Sequence, residues 1–198
     1  MGGLLSNFRT TIIVSFVLAL VIAYAYYANA TSPDLFVQAL LRWLHVLSGI
    51  LWIGLLYYFN FVQIRKMPDI PAELKPAVSK YIAPEALFWF RWAALSTWVF
   101  GVILAWQRGF IDAYYFGADK GFPPQLVLLG TGMWLATIMF LFVWGVIWPN
   151  QKIALGLKEA DADAKAKAAR TAMLFSRTNL LLSIPMLVVM TMSQTVFN

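Results

Sequence analysis

Three side chains of unlike chemistry share one apolar stretch of this chain: Arg42, His45 and Trp52. Together with Gly49 and Leu56 they recur at helical intervals, which places all five on one stripe of a helix. That stripe presents a permanent cation, an imidazole, a small notch and an indole. Charged and titratable groups are costly where water is scarce, so these are the first residues to read for function. An imidazole in that setting suits a haem ligand, a quinone contact or a proton carrier. Packing suits the same residues, with His45 hydrogen-bonded to a neighbouring helix, Gly49 and Gly54 admitting close approach and Trp52 filling the interface. The sequence leaves both readings open. His45 is the single histidine, so a bis-histidine haem within one copy is excluded, and Met133 or Met186 would have to supply a second iron ligand.

Little else in the chain is equipped for chemistry. Arg91 and Arg177 fall near the ends of apolar runs, where their long stems reach head groups. The acids Asp34, Asp69, Glu73, Glu85, Asp112, Asp119, Glu159, Asp161 and Asp163 all lie outside those runs, which leaves no intramembrane carboxylate for proton relay or cation transport. Cysteine is absent, and with it disulfides, thiolate metal sites and a covalently attached haem. No phosphate-binding loop, zinc motif or nucleophile elbow occurs. No catalytic residue and no metal site are assigned.

The elements that must carry these groups follow from composition. Of 198 residues, 61% are hydrophobic and 12% charged, against roughly 45–50% and about 25% in a soluble domain. A water-facing globule needs a polar shell that this composition cannot supply, whereas a bundle in lipid is apolar outside as well as inside. The fold class expected is therefore all-α, a single polytopic membrane bundle of about five helices, at about 11–27, 35–62, 86–106, 125–148 and 174–197. Tyr27-Ala28-Asn29-Ala30 has the small-x-small look of a signal cleavage site, but the preceding run exceeds a signal core and reads as a spanning helix. Between the second and third runs, Pro68, Pro71, Pro76 and Pro84 predict an irregular loop over 63–85. Pro149-Asn150 predicts the end of the fourth helix, and the Ala/Lys/Asp-rich segment 153–172 a water-facing helical lead into the fifth.

The net charge is +6, but Arg65, Lys66, Lys75, Lys80, Lys152, Lys158, Lys165, Lys167 and Arg170 lie in the loops 63–85 and 149–173. There they serve orientation and anionic lipid rather than nucleic acid. The connection 107–124 holds only Arg108 and Lys120. The positive-inside rule then places the N-terminus in the cytoplasm and the C-terminus outside, in the manner of a multi-pass protein of the bacterial cytoplasmic membrane.

The run Trp43-Leu44-His45-Val46-Leu47-Ser48-Gly49-Ile50-Leu51-Trp52-Ile53-Gly54 resembles the first motif of the N-terminal membrane domain in the membrane-bound bacterial urate oxidase (urate hydroxylase) family. Phe88-Trp89-Phe90-Arg91-Trp92, Thr137-Ile138-Met139, Trp148-Pro149-Asn150-Gln151-Lys152 and the segment from Ser176 to Pro185 are similar to later motifs in the same order. The resemblance implies a multi-helix membrane module that oxidises urate and passes electrons to a haem. It also marks a departure, since urate-oxidising members carry histidines where this chain has Phe88, Gly130, Thr178 and Thr195. Urate oxidation needs groups that orient the purine, a base and an electron acceptor, and phenylalanine and glycine provide none. The expectation is a retained fold with the urate chemistry lost: an accessory or structural subunit of a larger membrane complex, an oxidoreductase by resemblance. The alternative is a haem b- or quinone-linked module in which His45, Arg42 and Trp52 hold the cofactor. Lipid and other membrane subunits are the expected partners.

Overall fold

The computed structural model describes residues 2–27, 32–193 and 195–196. Among them all regular structure is helical, and five helices are long and apolar enough to cross a membrane. Their α-helical bodies are α1 (Phe8–Tyr27), α2 (Pro33–Tyr57), α3 (Ala83–Gln107), α4 (Pro124–Phe142) and α5 (Ala162–Met192). The chain is thus an all-α, multi-pass bundle suited to a lipid bilayer. It divides into two compact units, Met1–Leu40 and Leu41–Asn198.

In the first unit α1 is apolar all round, as a lipid-exposed helix is, and Asn7 Oδ1 accepts from Thr10 N (3.2 Å) at its start. The possible cleavage motif falls partly outside the described residues. Ser32 Oγ caps the start of α2 by accepting from Leu35 N (3.2 Å), with Pro33 and Asp34 in the first turn. Each is a favoured residue at its place in a helix start.

In the second unit the prolines act differently from the sequence expectation. The second span continues past α2 as a π turn, Tyr58–Gln63, then through short helical turns to Asp69. The third begins at Lys75, well before 86, and includes a π turn at Val78–Ile82. Only residues 70–74 interrupt the helical path. Pro76 stands in the first turn of the third span, where the missing N–H costs nothing, whereas Pro84 follows the π turn Val78–Ile82 within that span and Pro68 falls in the 3-10 turn that ends the second. Pro149 does not end the fourth span, which runs to Ala154 after a π turn at Val143–Ile147. Such a turn rearranges the hydrogen-bond ladder just ahead of the ring that cannot donate to it. The break comes later, at Gly156 with φ +75°, and α5 restarts where Asp161 Oδ1 accepts from Ala164 N (2.7 Å). The described part of α5 closes at Met192.

Trp52, Leu56, Phe90, Met139 and Val143 are buried at the centre of this unit, with Phe59 edge-on to Phe90 at 5.6 Å. Lipid gives helices no hydrophobic reason to associate, so packing and interhelical hydrogen bonds must hold them. The buried stripe of α5, Ala168, Ala172, Ser176, Asn179, Ser183 and Met186, supplies both. Its small residues allow close approach. Asn179 Nδ2 donates to Met139 O (3.0 Å), Ser176 Oγ accepts from Asn60 Nδ2 (2.9 Å) and Ser183 Oγ lies 3.3 Å from Tyr57 Oη.

Candidate functional site

Within the second unit a cavity of about 450 Å³ opens among α2, α3, α4 and the end of α5. Its lining includes Arg42, His45 and Trp52, the three residues singled out by their spacing, together with Thr97, Arg108 and Gln125. It lies toward the end of the bundle that carries the 107–124 connection, and its volume suits a small organic ligand.

The helical stripe of α2 grades from exposure to burial. Arg42 is exposed, His45 and Gly49 half-buried, Trp52 and Leu56 buried. At about 1.5 Å rise per residue, Trp52 sits about 10 Å deeper along the helix than His45. His45 Nδ1 is 2.8 Å from the carbonyl of Thr97. A carbonyl only accepts, so Nδ1 carries the proton and Nε2 presents a lone pair. No hydrogen bond to Nε2 is made among the described residues, and it is free to accept from a ligand or to coordinate a metal. The imidazole fits because α3 has glycine opposite: a Cβ on Gly101 would come within 2.8 Å of Cε1 and 2.9 Å of Nδ1. Gly49 is less constrained, a Cβ there meeting Thr97 at an ordinary 3.7 Å, and Gly54 has open space beyond it.

Trp52 is 1% exposed, and its Nε1–H has no hydrogen-bond partner among the described residues. A buried indole N–H without an acceptor costs about 1–3 kcal/mol. Trp98, by contrast, donates to Thr137 Oγ1 (3.1 Å), which also contacts Tyr114 Oη (3.3 Å).

At the mouth, Arg42 and Arg108 form no ion pair among the described residues, where the two pairs found are Lys66–Asp69 and Lys120–Asp112. Partial desolvation lowers the Arg108 pKa, and the charge of Arg42 adds to that effect. The guanidiniums are close enough to repel, so an acceptor-rich or anionic group between them is electrostatically favoured. The cavity therefore brings an acceptor, His45 Nε2, together with guanidinium donors that make no hydrogen bond among the described residues.

Arg108, Thr97, Gly101 and Gln125 are not singled out by the sequence, because they come from other elements and share no spacing with the α2 stripe. Of the two methionines considered as iron ligands, Met133 lines the cavity, whereas Met186 is buried in the central core. None of Phe88, Gly130, Thr178 and Thr195 lines it. Phe88 is 41% exposed, Thr178 and Thr195 donate to carbonyls of their own segment, and a Cβ on Gly130 would overlap the carbonyl of Ala113.

Comparison with protein-family models, with curated proteins and with solved structures finds no match to this chain.

Proposed function

We propose that this chain is a non-catalytic subunit of a membrane oxidoreductase and binds a lipid-soluble quinone in the cavity of Arg42, His45, Trp52 and Arg108. One observation carries the reading: a ring nitrogen that can only accept shares a cavity with two arginines that have no acceptor among the described residues, and with the indole of Trp52, whose N–H is likewise unpaired there. A quinone carbonyl accepts from Trp52 Nε1 or a guanidinium, while a hydroquinone O–H donates to His45 Nε2. The ligand finds a complementary partner in either redox state and is already dissolved in the surrounding bilayer. The redox centre exchanging electrons with it belongs, in this reading, to a partner subunit.

The motif resemblance to the urate hydroxylase membrane domain supports descent from a redox-linked module, with the urate chemistry lost at Phe88, Gly130, Thr178 and Thr195. The excess of Lys and Arg in the loops 63–85 and 149–173 supports residence in a bacterial cytoplasmic membrane with the N-terminus inside, which puts the cavity in the outer half of the bilayer. Haem b is a second reading, favoured by Met133 in the same cavity. A histidine whose Nδ1–H is held by a backbone carbonyl is oriented as metal-bound histidines are. Arg42 and Arg108 would then pair with the propionates. Haem would supply one-electron transfer.

The test is extraction from native membranes in mild detergent, followed by native electrophoresis, mass spectrometry, solvent extraction of quinone and an absorption spectrum. Stoichiometric redox subunits and about one quinone per chain, lost in His45→Ala and reduced in Trp52→Phe, are expected. A haem spectrum bleached by His45→Ala would replace quinone by haem. Migration alone with neither ligand would refute the proposal.

A further inference from the structure

Two arginines, Arg91 and Arg177, lie within spans toward the end of the bundle that carries the basic loops, and they are provided for differently. The Arg91 guanidinium stands 3.9 Å from the centroid of the Trp148 ring and 5.2 Å from that of Phe88, so aromatic faces compensate its charge. Arg177 is exposed and has neither an ion pair nor a hydrogen bond nor a ring contact among the described residues. Beside it runs an open groove of about 630 Å³ formed with Asn60, Leu180, Leu181, Ile184 and Pro185.

Asn60 adds an independent signal. Its Nδ2 donates to Leu56 O and to Ser176 Oγ, both at 2.9 Å. The backbone carbonyl fixes which end of the amide is which. Its Oδ1 is buried and has no partner among the described residues, so a residue lining the groove carries an acceptor without a donor beside a cation without an anion. The depth is also defined. Arg65, in the exposed basic segment that ends the second span, follows Asn60 by about 7.5 Å of helix, so Arg177 lies close to the basic end of the bundle, where head groups are expected. The apolar residues then extend toward the bilayer centre, the last of them, Pro185, about 12 Å along α5 from Arg177.

We infer that this groove is a binding site for an acidic phospholipid with a hydroxyl-bearing head group, of which phosphatidylglycerol is the simplest. Its phosphate pairs with Arg177, a head-group hydroxyl donates to Asn60 Oδ1, and an acyl chain lies along Leu180, Leu181, Ile184 and Pro185. Phosphatidylcholine lacks both the net charge and the donor. The site is separate from the cavity and does not depend on the quinone reading.

The experiment is native mass spectrometry of the purified full chain, titrated in detergent with phosphatidylglycerol and phosphatidylcholine of identical acyl chains. The expected result is a preference for phosphatidylglycerol that falls about fivefold in Arg177→Gln and is retained in Arg177→Lys and in an Arg42→Gln/Arg108→Gln variant. Asn60→Leu controls for the acceptor but also breaks the bond to Ser176, so Arg177→Gln, an exposed change, is the deciding variant once its elution profile matches the parent. Equal binding of the two lipids, an unchanged preference in Arg177→Gln, or displacement of the lipid by soluble glycerol phosphate would overturn the inference.

Discussion

Replacing Gly101 by alanine tests how the imidazole of His45 is held. The new Cβ would stand 2.8 Å from Cε1 and 2.9 Å from Nδ1, where carbon atoms in contact prefer about 3.5–4.0 Å. Because Gly101 sits on the backbone of α3, the ring must give way, by roughly 0.7–1 Å. The 2.8 Å bond from Nδ1 to Thr97 O then stretches toward about 3.5 Å, at which it no longer counts as a hydrogen bond. A polar pair left unmade away from water costs about 1–3 kcal/mol, and the gain in helix propensity from glycine to alanine returns about 0.5–1 kcal/mol. The net expectation is a loss of about 1 kcal/mol. The chain has a single histidine, so a nitrogen-15 label on that residue reports the ring without overlap. In the parent, the Nδ1-protonated form should dominate, and in Gly101→Ala that bias should weaken while the unfolding midpoint in detergent drops by about 2–4 °C. Gly54→Ala, with nothing near its Cβ, is the control and should not lower the midpoint. An unaltered ring signature together with a midpoint equal to that of Gly54→Ala would refute the reasoning.

Trp52→Phe removes a buried donor that has no partner, so the ligand-free protein should be within about 1 kcal/mol of the parent, while quinone affinity by fluorescence titration falls about tenfold. A large loss of stability with unchanged affinity would show that the indole N–H serves packing alone. Gly130→Ala drives a Cβ into the carbonyl of Ala113 and should cost about 1–3 kcal/mol of thermal stability, because the helical turn Ile111–Tyr115 that carries Tyr114 over α4 must move. Asp112 raises the Lys120 pKa, first through their 2.6 Å hydrogen bond and then through its charge. The pair's contribution is therefore complete below the ordinary lysine value of 10.5 and fades as the pH rises through the raised one. Lys120→Met should remove this alkaline dependence from the unfolding midpoint, and the effect should be small because the pair is exposed.

The sequence and the structure agree where one element carries the whole signal. Arg42, His45 and Trp52 belong to one helix, so periodicity alone puts them on one face, and that face lines the cavity. The length and apolarity of the spans likewise determine that they are helices, since lipid offers the backbone no other partner. What the sequence hides is contributed across elements. Gly101 admits His45 from 56 positions away along the chain, and Arg108 reads as a loop cation until α3 brings it to Arg42. The prolines mislead for a different reason. Pro149 is a helix breaker by its missing N–H and its ring, but a π turn immediately before it shifts the ladder, and periodicity carries no sign of that turn. Asn179 and Ser183 lie in an apolar run of α5, and only the folded chain shows that they meet Met139 and Tyr57 on other helices.

The membrane arginines show why residue type alone underdetermines function here. Arg91, Arg177, and Arg42 with Arg108 share one side-chain chemistry, and a rule about long cationic stems reaching head groups treats them alike. They separate only when the surroundings of each guanidinium are specified. Arg91 has the Trp148 and Phe88 rings against it, Arg177 lies on a groove that Asn60 also lines, and Arg108 has the Phe110 ring and the charge of Arg42. Among the described residues Arg91 alone is faced by two rings, one of them as near as 3.9 Å, whereas Arg108 has the single ring of Phe110 at 5.2 Å. The other two arrangements leave positive charge less fully compensated, one beside an apolar groove open to lipid and the other at the mouth of a cavity with an imidazole acceptor inside. Charge that the protein leaves unpaired is charge that an outside group can pair. That is the physical reason the unpaired arginines, rather than the most buried one, point to ligands.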